Sequence, residues 1–111
     1  MKRVRLYFSH ILKCIERIEL YTKEGEALFL SNIQIQDSVY RNFEIIGEAS
    51  KRIPESIKVK APEISWKEVA GFRDVLIHQY DGVDPKEVWL VIEEYLPKLK
   101  LAIQKLLQEN P

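Results

Sequence analysis

Apolar residues recur along this chain at three- and four-residue steps, broken by polar punctuation, and there are no convincing alternating strand patterns. From Arg3 to about Glu24, the series Leu6, Ile11, Ile15, Ile18 and Leu20 marks one face of a helix, and Gly25 stands where a C-terminal cap belongs. Glu26 to Leu30 reads as a short helical turn and Ser31-Asn32 as a break. A longer helix follows from Ile33 to Ile53, with Ile35, Val39, Phe43 and Ile46 as its core-facing stripe. Gly47 inside it costs about 1 kcal/mol relative to alanine unless a close helix crossing needs the missing side chain, so tight packing is expected there.

Pro54 and Pro62 bracket a connecting stretch with at most a helical turn. Ser65-Trp66-Lys67-Glu68 is a capping box, in which serine and glutamate reciprocally satisfy exposed backbone donors, so the third long helix starts at Trp66. It is expected to run to about Tyr80 and to stop at Asp81-Gly82. Asp84 at the N-cap and Pro85 at the first helical position start the next helix, carrying Val88, Trp89, Ile92 and Leu96. Pro97 should kink or break it, with Leu99 to Leu107 as continuation or fifth helix. Short connections favour antiparallel neighbours, and the expectation is an all-α bundle of four to five helices in one domain over 1–111.

Composition narrows the class. At 111 residues the chain can build one core, and 46% apolar with 31% charged residues excludes a disordered polymer. No apolar run approaches the roughly 18 residues needed to span a bilayer, and the basic opening lacks a signal peptide's apolar core, so no membrane contact and a cytoplasmic location are expected. Cys14 is the single cysteine, expected as a small buried apolar residue, and no Cys/His cluster has zinc-ligand spacing. No zinc site is therefore expected, nor is a cofactor. His10, without a second ligand-type residue at metal spacing, is expected to be structural or on the surface. Seventeen basic and seventeen acidic residues balance, so any RNA contact is local or built from two subunits.

Packing alone does not require the polar residues of Gly71 to Gly82. At about 100° per residue, Val69, Phe72, Leu76 and Tyr80 share one face, and Arg73 falls in the same arc. A buried charge is expensive, so Arg73 either snorkels, pairs within the chain, or meets a carboxylate, phosphate or wet groove. Asp74 and His78, four apart, can touch along the helix. Arg73 and His78, five apart, point about 140° from each other in an ideal helix. They converge on one ligand only if the helix loosens near His78 or another chain completes the site. Asp37, Arg41, Glu44 and Glu48, at four-, three- and four-residue steps, form a charged ridge that is either a solvated face or support for a polar site.

Arg73-x-x-x-x-His78-x-Tyr80 resembles the signature of the HEPN-domain toxins of the HepT-like group, small all-α proteins encoded beside a minimal nucleotidyltransferase antitoxin. The similarity extends, in order, to Ile35-Gln36-Asp37-Ser38-Val39, Arg41-Asn42-Phe43-Glu44-Ile45-Ile46-Gly47-Glu48-Ala49, Pro62-Glu63-Ile64-Ser65-Trp66 and Gly82-Val83-Asp84. It covers most of the chain from Ile11 to Leu106.

The resemblance implies a homodimeric, metal-independent ribonuclease toxin with Arg73 and His78 of both subunits lining a groove at the two-fold axis. Histidine suits proton transfer to or from a 2′-hydroxyl, and arginine suits charge building on the phosphorus. Asp74 would orient one of them. Tyr80 matches the tyrosine that the partner nucleotidyltransferase modifies with AMP, which silences the toxin. Without the resemblance, Tyr80 reads as an amphipathic helix-end residue. The alternative implied by related HEPN domains is a non-catalytic nucleotide-binding partner module of a nucleotidyltransferase.

Overall fold

The computed structural model describes residues 2–109, and among them every regular element is helical. Helix α1 (Lys2–Tyr21) buries Phe8, Ile11, Ile15 and Ile18 completely. Leu6 and Leu20, expected on the same face, are each 57% exposed, and Val4, Phe8 and Cys14 take core positions instead. The helix ends three residues earlier than its pattern suggests. A turn follows, and Gly25, at φ +99°, adopts the left-handed conformation that glycine enters most cheaply. Gly25 thus caps the start of α2 (Glu26–Ser31) and does not end α1. The Gln36 side-chain amide donates to the carbonyls of Phe29 and Leu30 at 2.9 and 3.2 Å, satisfying orphan acceptors at the end of α2.

Asn32 accepts from the Ile35 backbone N–H at 3.0 Å and starts α3 (Ile33–Lys51). Its stripe of Val39, Phe43 and Ile46 is buried, with Ile35 packed at the edge. The connection to the next long helix contains one turn, α4 (Glu55–Lys58), and is pinned by buried Ile53, Ile57, Ala61 and Ile64. Trp66 fastens it further by donating its indole N–H to the Lys58 carbonyl at 3.2 Å.

Helix α5 (Trp66–His78) begins at Ser65, whose hydroxyl accepts from the Glu68 backbone N–H. Only this half of the expected capping box forms: the Ser65 N–H donates to the Tyr95 hydroxyl at 3.1 Å, not to Glu68. The sequence pattern could not show that a distant tyrosine would outcompete a neighbouring carboxylate.

Helix α6 (Pro85–Leu90) has the expected Asp84 cap, which accepts from the Lys86 N–H at 2.9 Å. It continues through a π-helical turn at Val91–Tyr95 into α7 (Leu96–Glu109). Pro97 therefore leaves no break. A proline ring collides with the carbonyl four residues back and removes one backbone donor, and the wider turn just before it absorbs both faults.

Side-chain pairs fix the helix directions. Arg5 reaches the Leu107 carbonyl while Lys100 pairs with Glu19 at 2.9 Å, so α1 and α7 run antiparallel. Gly47 lies against Arg73 and Asp37 against Tyr80, so α3 and α5 do too. Helix α1 packs between α7 and α3, and α3 between α1 and α5. One contiguous apolar cluster runs through these helices, and Phe29 against Trp89, 5.5 Å between ring centroids, attaches α2 and α6 to it.

Candidate functional site

The α3–α5 crossing sets the site. A Cβ added to Gly47 would lie 2.4 Å from the Arg73 Cβ, so the two helix backbones approach here as only glycine permits. This is the close crossing that a glycine within α3 suggests. It lays the Arg73 stem across α3 and leaves its side chain 23% exposed, with the guanidinium opening to one side of the crossing.

The guanidinium lies within a chain of charges. Arg73 Nε is 3.1 Å from Glu48 Oε2, and its Nη1 is 3.1 Å from Asp74 Oδ1. Glu48 also meets Arg52 at 3.6 Å, and Asp74 meets Lys51 at 3.6 Å. Three cations, Arg52, Arg73 and Lys51, thus share two carboxylates, Glu48 and Asp74, leaving one positive charge in excess. The Nε–Glu48 contact is close enough for an ion pair but off the line a hydrogen bond needs, so the buried Nε has no hydrogen-bonded acceptor. Each exposed pair contributes at most about 1 kcal/mol, so these contacts can yield to a better anion.

Part of the ridge predicted on α3 therefore supports the polar site: Glu48 holds Arg73, and Asp37 accepts a hydrogen bond from the Tyr80 hydroxyl. Of the two partners open to Asp74, the carboxylate engages Arg73, together with Lys51, and not His78. His78 is exposed on the outer face of α5.

Arg73 and His78 do not converge within one chain. Helix α5 stays α-helical through His78, and the backbone departs only at Gln79, with φ −127° and ψ 32°. The ideal separation of about 140° between the two side chains therefore holds. Tyr80 lies beyond the helix end in a 3-10 turn, Tyr80–Gly82, two residues sooner than the periodicity implies. Its ring meets Tyr40 edge-on at 6.1 Å, and the residue is 46% exposed. The hydrogen bond to Asp37 is the main cause holding the Tyr80 hydroxyl above its ordinary pKa, with burial adding to it.

Two hollows flank α5. A polar cleft of about 370 Å³ opens between α1, α3 and α5, lined by His10, Arg41, Glu44, Glu48, Arg52 and Arg73 among others. An apolar groove of about 700 Å³ lies on the other side, lined by Phe72 and Val75 of α5 and by Val91, Tyr95, Leu96 and Leu99. His10 and Arg52 were missed as site residues from sequence, because they join Arg73 only through the α1–α3–α5 packing. Among the described residues, no group of three or more His, Cys, Asp or Glu is placed to hold a metal ion, and no helix is long and apolar enough to cross a membrane.

The all-α bundle is of the HEPN-like class. Residues 11–106 match the family described as ribonuclease HepT-like. The chain is 46% identical over 101 residues to "Probable ribonuclease HepT" of Thermococcus cleftensis, covering 90% of this chain and 92% of that one. It is also 46% identical over 109 residues to "Gamma-glutamylcyclotransferase and putative RNase MJ0434" of Methanocaldococcus jannaschii, covering 97% of this chain and 49% of that protein, about half its length. "Putative RNase TTE0752" of Caldanaerobacter subterraneus subsp. tengcongensis is 36% identical over 114 residues, covering 99% of each. No solved structure matches. The chain belongs to the HepT-like ribonuclease family.

Proposed function

We propose that this protein is the ribonuclease toxin of a two-gene toxin-antitoxin module, acting as a homodimer without a metal cofactor. The observation that carries the reading is the charge chain around Arg73: three cations on two carboxylates. A phosphodiester brings the missing negative charge and acceptor oxygens that match a guanidinium fork. RNA as substrate accords with the ribonuclease names of the relatives.

His78 supplies the proton transfer. It takes the proton of the 2′-hydroxyl as that oxygen attacks phosphorus, or gives one to the departing 5′-oxygen, while Arg73 neutralises the charge growing on the non-bridging oxygens. Asp74 steers Arg73, with which it pairs directly. Because the two catalytic side chains diverge on a regular helix, each site draws on both subunits of a symmetric pair. The exposed flank of α5 supports this, since Val75 and Ile77, 38% and 40% exposed, are apolar on either side of His78.

Tyr80 is the control point. A partner nucleotidyltransferase transfers AMP from ATP to the Tyr80 hydroxyl, which loses its proton as the phosphodiester forms and pyrophosphate leaves. The hydroxyl is then no longer a donor to Asp37, and negative charge sits two residues from His78, where substrate phosphate must bind.

The test is RNA cleavage by purified protein in EDTA. Arg73→Ala and His78→Ala should each lower cleavage at least about a hundredfold while the dimer persists. Unchanged cleavage in both variants overturns the site. Tight nucleotide binding that is indifferent to His78→Ala, with no cleavage by the native protein, assigns the chain to a non-catalytic partner module instead.

A further inference from the structure

The ribonuclease reading leaves most of the polar cleft unused. The cleft extends away from Arg73 along the seam between α1 and α3, where α1 lines it with Tyr7 and His10, and His10 belongs to a basic row that runs past the cleft at both ends. Arg3, His10 and Arg17 follow one another at seven-residue steps, all exposed. Seven residues bring a helix round to nearly the same angle, drifting only about 20°, so the three form one row. At 1.5 Å per residue the row is about 21 Å long.

The facing side of the seam is basic too. His10 shares the cleft with Arg41, Arg52 and Arg73. Further along, burial raises the Cys14 thiol pKa and the positive charges of Arg17 on α1 and Arg41 on α3 partly offset it, so both arginines stand near this part of the seam. The carboxylates present are outnumbered: Glu48 is divided between Arg52 and Arg73, and Glu44 meets Arg41 at 3.6 Å. No acidic residue occurs on α1 before Glu16. Neutral net charge for the whole chain therefore hides a local basic strip. Tyr7, half-buried in the cleft, adds an aromatic face.

We infer that the seam between α1 and α3 is a track for single-stranded RNA, with Arg3, His10, Arg17 and Arg41 contacting phosphates along one strand and Tyr7 stacking on a base, so that the strand is led to Arg73. A basic groove interleaved with an aromatic ring is the usual platform for an unpaired strand, and at about 21 Å it accommodates several nucleotides but no duplex turn. The inference rests on the ribonuclease reading for the identity of its ligand. It adds the substrate class and a binding surface outside the Arg73 and His78 machinery.

The experiment measures binding of a fluorescent 2′-O-methyl oligouridylate, which lacks the attacking hydroxyl and stays intact, across a range of salt. The double variant Arg3→Ala/Arg17→Ala should weaken binding on the order of tenfold and lower the slope of log K against log salt by about 1.4, the value for two lost contacts to a single strand. Arg3→Lys/Arg17→Lys, which keeps both charges, should restore the slope. An unchanged affinity and slope in the alanine variant, with its helical circular dichroism intact, overturns the track. So does loss of binding to a nucleotidyltransferase partner with RNA binding untouched, which assigns the strip to protein recognition.

Cleavage is scored separately. Native protein that binds through Arg3 and Arg17 but never cuts RNA refutes the ribonuclease reading and leaves the track standing. Protein that cuts, with binding indifferent to both arginines, refutes the track alone.

Discussion

The two ends of the α5 signature are built differently. Around Arg73 everything is determined inside one chain: Gly47 sets the distance, Glu48 and Asp74 set the direction, and Val69 and Leu76 bury the helix on the same side. Five residues later the fold stops determining anything so closely. His78 is exposed at the last α-helical position, and Tyr80 is fixed mainly by Asp37 and by the edge of Tyr40. A side chain held rigidly suits charge stabilisation, which needs preorganisation, whereas an exposed pair of residues suits proton exchange and modification. The contrast also suggests that the exposed end is completed by something outside the chain.

The sharpest way to break this comparison is through activity. His78→Ala should lower cleavage by about 10²–10⁴-fold, the usual worth of a positioned proton-transfer group. Arg73→Ala should lower it by about 10²–10³-fold, measured as single-turnover rates on a labelled RNA. The determined end should then prove the more fragile in stability. Gly47→Val forces a side chain into the Arg73 Cβ and should destabilise the fold by about 2–3 kcal/mol in urea unfolding. His78→Ala should leave the unfolding midpoint nearly unmoved, because the side chain is exposed.

Smaller effects sharpen it further. Glu48→Gln removes one of two carboxylates from three cations and should cost at most about 1 kcal/mol while tightening RNA binding. At the other end, the hydrogen bond to Asp37 stabilises the neutral Tyr80 hydroxyl and raises its pKa from the ordinary 10.0. The contribution of that bond is fully present below pH 10 and fades as pH rises through the raised value. Tyrosinate absorbance of the native protein minus that of Tyr80→Phe should titrate above 10.0, and Asp37→Asn should bring the difference curve down.

Local rules made much of this legible. The Val39, Phe43 and Ile46 stripe, the Asp84 cap and the close crossing at Gly47 each follow from a spacing or a residue type that has one physical use. Other features depend on partners far away in sequence. The Tyr80 hydroxyl bonds to Asp37, 43 residues earlier, and the turn at Gln79 carries the ring off the helix axis. Ser65 gives its N–H to Tyr95 for the same reason. Periodicity places Leu6 and Leu20 on α1 but cannot say where neighbouring helices stop covering it. Spacing lets Asp74 serve either Arg73 or His78, and only the fold, with a lysine from α3 beside it, turns it to Arg73. His10 reads as an ordinary surface residue until the fold sets it beside Arg41, Arg52 and Arg73.

Because α5 is regular through His78, the central claim is that each site takes Arg73 from one subunit and His78 from the other. Mixing inactive Arg73→Ala and His78→Ala proteins, unfolding and refolding them together, tests it directly. Random reassortment makes half the dimers mixed, each with one intact site of two, so cleavage should return to about a quarter of the native level. No recovery, with mixed dimers confirmed by mass, would show that both residues must come from the same chain and would contradict the shared site.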